Sequence, residues 1–191
     1  GTSDATVIRA AQALGYAELD GLRRQLADEL RQSLSPAARL TRTLGAVQGD
    51  VAAALATMVD IHVAALAGLR RDIDAGRFGR AVDLLAAARR VLVFGIGPSS
   101  ALADYFAIQL GRFGVASRSL TATGLALADG LCRLDGGELI VALAYSRVYR
   151  EIEVLVAEAG RRVAATILLT DSLGARLGGR VELVLPVAGQ H

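Results

Sequence analysis

From Val91 onward, short runs rich in Val, Ile and Leu alternate with helical segments, and this alternation limits the fold more than any other feature of the chain. The apolar runs cover residues 91–94, 115–120, 139–145, 163–170 and 181–187. Helical stretches near 99–113, 123–133, 149–160 and 172–178 lie between them. Apolar and polar residues do not alternate within the runs, which suits strands covered on both faces. Strands joined by helical crossovers of this length form a parallel sheet flanked by helices. The expected fold class is therefore α/β, a five-stranded parallel sheet with helices on both sides, preceded by an all-α N-terminal segment.

That segment reads as a series of helices. Ser3 is a good N-cap and Asp4 sits in the first turn, where the helix dipole favours a carboxylate. Val7, Ala10, Ala11 and Leu14 mark one apolar face, and Gly15 stops the helix. Leu19, Leu22, Leu26 and Leu30, with Leu34 beyond, form the stripe of a second helix, broken at Ser35-Pro36. Residues 47–74 read as a long Ala-rich helix with Asp50 near its start and Arg70-Arg71 near its end. Residues 78–90 give another, with Val82, Leu85 and Ala86 on its buried side. The expected boundaries are 1–34 for an N-terminal helical domain, 35–75 for a helical linker or oligomerisation segment, and 76–191 for the α/β domain. The first helix lacks partners for its apolar face and the last run lacks a covering helix. The chain is expected to be a piece of a longer protein.

Composition narrows the function classes. Apolar residues make up 53% of the chain, enough for a sizeable core and too many for a disordered protein. A formal net charge of +2 excludes a polybasic nucleic-acid coat but permits a local basic patch. Cys132 is the single cysteine, so no internal disulfide forms, and no Cys/His cluster suits zinc. No metal or cofactor is expected. Residues 51–69 have the length of a membrane span, but Asp60, His62 and the many alanines argue for a packed soluble helix. No signal peptide is visible, and the cytoplasm is the expected compartment.

In a parallel sheet, ligands bind beyond the carboxyl ends of the strands. In the first such loop, Gly95 and Gly97 permit a tight turn, and Ser99 and Ser100 open a helix whose N–H groups favour an anion. Phosphate binding and plain helix capping both fit. A dinucleotide fingerprint fits less well, because Ala103 supplies no third glycine and no acidic residue closes the second run. After the third run, Ser146 can donate a hydrogen bond and Arg147 or Arg150 can pair with a phosphate, or the stretch is a solvated helix start. Thr170, Asp171 and Ser172 either fix sugar hydroxyls or cap a short helix, and Thr121 and Thr123 are further donors. No catalytic set emerges. His62 and His191 lie elsewhere, and Glu151 is the one general-base candidate near these loops, without a partner.

The chain also resembles a known family over nearly its whole length. Gly95-Ile96-Gly97-x-Ser99-Ser100, Leu134-Asp135-Gly136-Gly137-Glu138-Leu139-Ile140 and Leu169-Thr170-Asp171-Ser172 are similar to the motifs of SIS (sugar isomerase) domains, flavodoxin-like modules that bind sugar phosphates. Ser3-Asp4-Ala5-Thr6-Val7-Ile8-Arg9, followed by Leu14-Gly15-Tyr16 and Leu22-Arg23, resembles the end of the helix-turn-helix domain of RpiR-type transcriptional regulators. The resemblance implies operator DNA and a sugar phosphate or similar anion as partners, in a homodimer or homotetramer outside any membrane. Ser3, Thr6, Arg9 and Gln12 are then the expected DNA-facing residues. With Val7, Ala11 and Leu14 turned inward, Thr6, Arg9 and Gln12 share an outer face that suits a major groove. The expected effector residues are Gly95, Gly97, Ser99, Ser100, Thr121, Ser146, Arg147, Thr170 and Ser172.

The third loop departs from the family pattern Ser-x-Ser-Gly-x-Thr. Ser146 is retained, while Ala144, Arg147 and Tyr149 stand where the first serine, the glycine and the threonine would be. Arg147 either restores the lost contacts through its charge or fills the pocket. The function expected is a non-enzymatic regulator that senses an anionic metabolite. The alternatives are a sugar-phosphate isomerase and a regulator working through assembly without a ligand.

Overall fold

The computed structural model describes residue 45 and residues 50–72, 75–162 and 164–187. The expected DNA-facing residues Ser3, Thr6, Arg9 and Gln12, the whole 1–34 segment and His191 lie outside the described residues. The chain divides into two compact units, Gly1–Met58 with His191, and Val59–Gln190.

Helix α1 (Val51–Asp72) begins at a side-chain cap. Asp50 Oδ1 accepts from the Ala52 and Ala53 N–H groups at 2.8 and 3.2 Å, satisfying two donors of the first turn. Arg70 and Arg71 close its last turn, where the dipole favours cations. Val51–Arg71 is long and apolar enough to cross a membrane by length and composition, with a mean hydropathy of 1.7. Only 6% of that window is buried within the chain, so the packing expected of this helix is not supplied by the described residues. Val51, Leu55, Met58, Val59 and Leu66 are exposed along it.

The second unit holds the parallel α/β fold. Helix α2 (Ala75–Ala87) is followed by β1 (Arg90–Gly95), α3 (Ser99–Arg112), β2 (Ser117–Leu120), α4 (Gly124–Cys132), β3 (Glu138–Leu143), α5 (Arg150–Arg161), β4 (Ala165–Thr170), α6 (Gly174–Leu177), a 3-10 turn (Gly178–Arg180) and β5 (Leu183–Pro186). All strands are parallel, in the order β2-β1-β3-β4-β5. Register is set by apolar side chains, with Val91 opposite Leu139 and Leu143 opposite Leu169.

Alternate strand residues feed two layers. Leu92, Phe94, Ile140, Ala142 and Leu168 pack against Leu127 and Leu131 of α4, Ile152, Leu155 and Val156 of α5, and Leu177 of α6. On the other face, Val91, Val93, Val141 and Leu143 meet Ala103, Ala107 and Leu110 of α3. Leu139, Ile167 and Leu185 meet Ala81, with Leu84, Leu85 and Ala88 beside it. Each large side chain buried in this way contributes about 1.5–3 kcal/mol.

Three details differ from the sequence expectation. The buried stripe of α2 is rotated by one residue: Ala81 is buried, whereas Val82 is 48% exposed and Ala86 is exposed. Strand β2 starts at Ser117 because the Val115 N–H donates to the Leu110 carbonyl at 3.0 Å, closing the end of α3. Glu138 lies inside β3, fully buried at the amino edge of the sheet. Its carboxylate meets Arg118 of β2 at 3.2 Å and Arg90 of β1 at 3.4 Å, so the charge is compensated from the two strands on one side of β3.

Candidate functional site

The chain leaves β1 toward β2 on one side of the sheet, and β3 lies on the other side of β1. This reversal parts the loops that follow β1 and β3, which places the ligand crevice of such a sheet between their carboxyl ends. Gly95–Ser100 and Ala144–Tyr149 therefore flank it, as the sequence places them. The β4 loop adjoins, because the Ala144 N–H donates to the Leu169 carbonyl at 3.1 Å and carries the β3–β4 pairing one residue further.

In the β1 loop the two glycines have different tasks. Gly97 adopts φ +57° over open space, so its lack of a side chain serves the left-handed turn. Gly95 serves packing: a Cβ there would lie 2.5 Å from the Ser99 carbonyl oxygen and 3.1 Å from Ala103 Cβ. Glycine thus lets the first turn of α3 sit directly on β1. The serines do not cap α3, whose N-cap position is Pro98 with no side-chain cap bond. The Ser99 N–H donates to the Ile96 carbonyl at 3.2 Å and the Ser100 N–H to the Gly97 carbonyl at 3.0 Å. Ser100 Oγ donates to that same Gly97 carbonyl at 2.7 Å. The amides expected to face an anion are occupied within the turn.

The β3 loop turns sharply. Ser146 has φ 67°, the one positive value among described non-glycine residues, and the Arg147 N–H donates to the Tyr145 carbonyl at 2.8 Å across it. A three-residue turn of this hand is strained in an L-residue. What holds it is Asp171, whose Oδ1 accepts from the Ser146 N–H at 2.8 Å and from Ser172 Oγ at 2.9 Å. Thr170 is buried, and its Oγ1 accepts from the Leu173 N–H at 3.0 Å. Of the two roles open to the β4 loop, Thr170 takes the local capping one, while Asp171 ties the loop to β3.

Arg147 is exposed, with its guanidinium carbon 4.5 Å from the centre of the Tyr149 ring. This cation–π contact, about 0.5–1 kcal/mol at an exposed site, gives the arginine a preferred direction. Tyr145 is half-buried beside this turn. Burial raises its phenol above the ordinary 10.0, with the Asp171 carboxylate adding to the rise, so the hydroxyl stays protonated at neutral pH. In the sequence Tyr145 carries no signal beyond an aromatic side chain at the end of the continuous 139–145 run. Thr121 is half-buried at the end of β2, on the same edge.

A cavity of about 190 Å³ opens between α4 and α5, bordered by Gly124, Leu127, Arg150, Glu151 and Val154. Glu151 lines this cavity, in the first turn of α5. Among the described residues no cluster of His, Cys, Asp and Glu suits a metal ion. His62 is exposed on α1.

Comparison with known proteins agrees with the fold. The SIS domain family profile matches residues 84–187. The solved sugar isomerase domain of an RpiR transcription factor from Sphaerobacter thermophilus is 25% identical with a TM-score of 0.64, over 70% of this chain and 74% of that one. The NanR protein of Vibrio vulnificus, solved in complex with ManNAc-6P, is 25% identical with a TM-score of 0.66, over 100% of this chain and 65% of that one. An HTH-type transcriptional regulator of Escherichia coli K12, YfhH, is 27% identical over 171 residues, 88% of this chain and 59% of the relative. The chain spans 28% and 59% of the lengths of two curated relatives that it matches. Solved structures from Listeria monocytogenes and Methanococcus jannaschii, at 15% and 17% identity, share the fold.

Proposed function

The chain belongs to the SIS domain family, and from that premise we propose that it is the sensor part of an RpiR-type transcriptional regulator. Residues 76–191 receive a phosphorylated sugar or a related anionic metabolite, residues 35–75 link and assemble the subunits, and residues 1–34 belong to the DNA reader. The effector lies at the carboxyl edge of β1, β3 and β4, against Gly97, Ser99, Thr121, Ser146 and Arg147, with Gly95, Ser100, Thr170 and Ser172 shaping the loops. The regulator acts in the cytoplasm on operator DNA through Ser3, Thr6, Arg9 and Gln12, without a cofactor.

One observation carries this reading: an RpiR transcription factor and the NanR protein both match at 25% identity, the second across 100% of this chain. NanR was solved with a sugar phosphate, which supports the ligand class. The edge itself favours binding over turnover. Sugar-phosphate isomerisation needs a base beside the substrate carbon and a matching acid. Asp171 is engaged with Ser146 and Ser172, and Glu151 faces the α4–α5 cavity.

Phosphorus NMR of hexose and pentose phosphates mixed with the purified protein separates a sensor from an enzyme. A sensor broadens or shifts the resonance of its effector and leaves the compound intact. New resonances of an isomerised product would overturn the assignment.

A further inference from the structure

We propose that Asp171 is a specificity-determining residue of this edge: its carboxylate occupies the anion position that the β3 loop builds, and an anionic effector enters there by displacing it. The proposal rests on the sensor reading above. The Ser146 backbone is held at φ 67°, and its N–H points to Asp171 Oδ1 at 2.8 Å. Ser172 Oγ donates to the same oxygen at 2.9 Å. A backbone amide and a hydroxyl converging on one anionic oxygen form the kind of donor pair that binds phosphate oxygens. Here the oxygen comes from the protein.

The nearest cation in the loop does not offset this arrangement. Arg147 stacks on Tyr149, its guanidinium carbon 4.5 Å from the ring centre. Asp171 is half-buried, and Tyr145 beside it is partly desolvated, so its charge is less screened than one in open solvent. A phosphate seated on the Ser146 N–H would place like charges side by side. Affinity for anions is therefore set by the cost of moving Asp171. Arg147 and Tyr149, at the family's glycine and threonine positions, lie on the outer side of the turn, where they receive the displaced or incoming anion.

Calorimetric titration of the full chain and of the variants Asp171→Ala and Asp171→Asn, with inorganic phosphate and with a hexose 6-phosphate, tests this. Removing the charge is expected to tighten phosphate binding at least about tenfold, which is 1.4 kcal/mol. Asp171→Asn keeps an acceptor for the Ser146 N–H, so it carries the comparison if the alanine variant melts early. Binding by the variants alone, or tighter binding than by the unaltered chain, supports the proposal. Equal or weaker binding by the variants, with the unaltered chain still binding, overturns it and leaves the sensor reading intact. Weaker binding would make Asp171 a ligand for sugar hydroxyls. Failure of all three proteins to bind either compound overturns both readings.

Discussion

Single side chains at the two ends of the sheet make opposite predictions. At the amino edge, Glu138 is fully buried against Arg118 and Arg90. Glu138→Ala leaves two partly exposed arginines facing a cavity and removes the charge that orders three strands. The expected loss is about 2–4 kcal/mol, below the upper range for a fully buried pair because the arginines reach solvent. Denaturant unfolding followed by circular dichroism measures it, and a loss within experimental error would show that the ion pairs do not order the edge. At the carboxyl edge the strain at Ser146 runs the other way. Ser146→Gly relieves the positive φ and is expected to raise stability by about 0.5–1 kcal/mol while weakening effector binding through loss of the hydroxyl. Gly95→Ala should cost about 1–3 kcal/mol, since the new Cβ would meet the Ser99 carbonyl and the backbone must shift.

Among the elements, the turn into β3 and the helix α5 each hold a carboxylate whose titration adds to the acid sensitivity of the domain. The Gly137 N–H, donating to Asp135 Oδ1 at 2.9 Å, holds the Asp135 carboxyl below its ordinary 3.8, with Arg89 assisting. A hydrogen bond from Arg162 at 2.8 Å holds Glu158 below 4.5, with Arg161 also contributing. Both folded values are depressed, so the stabilisation is present above the ordinary values and is lost as pH falls through the lowered ones. The urea midpoint should therefore drop as pH falls from about 5 to 3, and Asp135→Asn with Glu158→Gln should flatten that drop. An unchanged slope in the double variant would place the acid sensitivity elsewhere.

The elements are largely legible in the sequence. The apolar runs of β1, β3 and β4 mark strands covered on both faces, whereas β2 (Ser117–Leu120) is a half-buried edge strand that carries Ser117, Arg118 and Ser119. The stripe of α2 was misplaced because Val82 and Ala86 fit a helical period as well as Ala81 and Leu85 do, and only the sheet decides which face is covered. Val115 read as strand by its β-branched side chain, yet its N–H closes α3. The candidate site was legible in position and not in detail. The glycines and serines marked the edge, but the bond from Ser146 to Asp171 joins residues 25 apart, and no local spacing encodes it.

At the scale of the whole molecule, the exposed apolar length of α1 is the main unsatisfied feature of the described chain. Val51, Leu55, Val59 and Leu66 are all more than half exposed. An exposed apolar face of this length marks an interaction surface, and in the proposed regulator a second subunit covers it. Light scattering should give at least twice the chain mass of 19.8 kDa, and Leu55→Asp with Leu66→Asp should reduce it toward one chain. A monomer for the unaltered chain would contradict the assembly.

The central claim is that the carboxyl edge of the sheet senses a phosphorylated sugar. A thermal-shift panel of phosphorylated sugars and their unphosphorylated counterparts tests it most directly. An effector at a hundred times its dissociation constant adds about 2.7 kcal/mol, which raises the melting temperature of a chain this size by roughly 5 to 10 °C. The account predicts such a rise for at least one phosphorylated sugar, none for its unphosphorylated counterpart, and a smaller rise in Arg147→Ala. A panel in which no phosphorylated sugar moves the transition, or in which both forms move it equally, would contradict it.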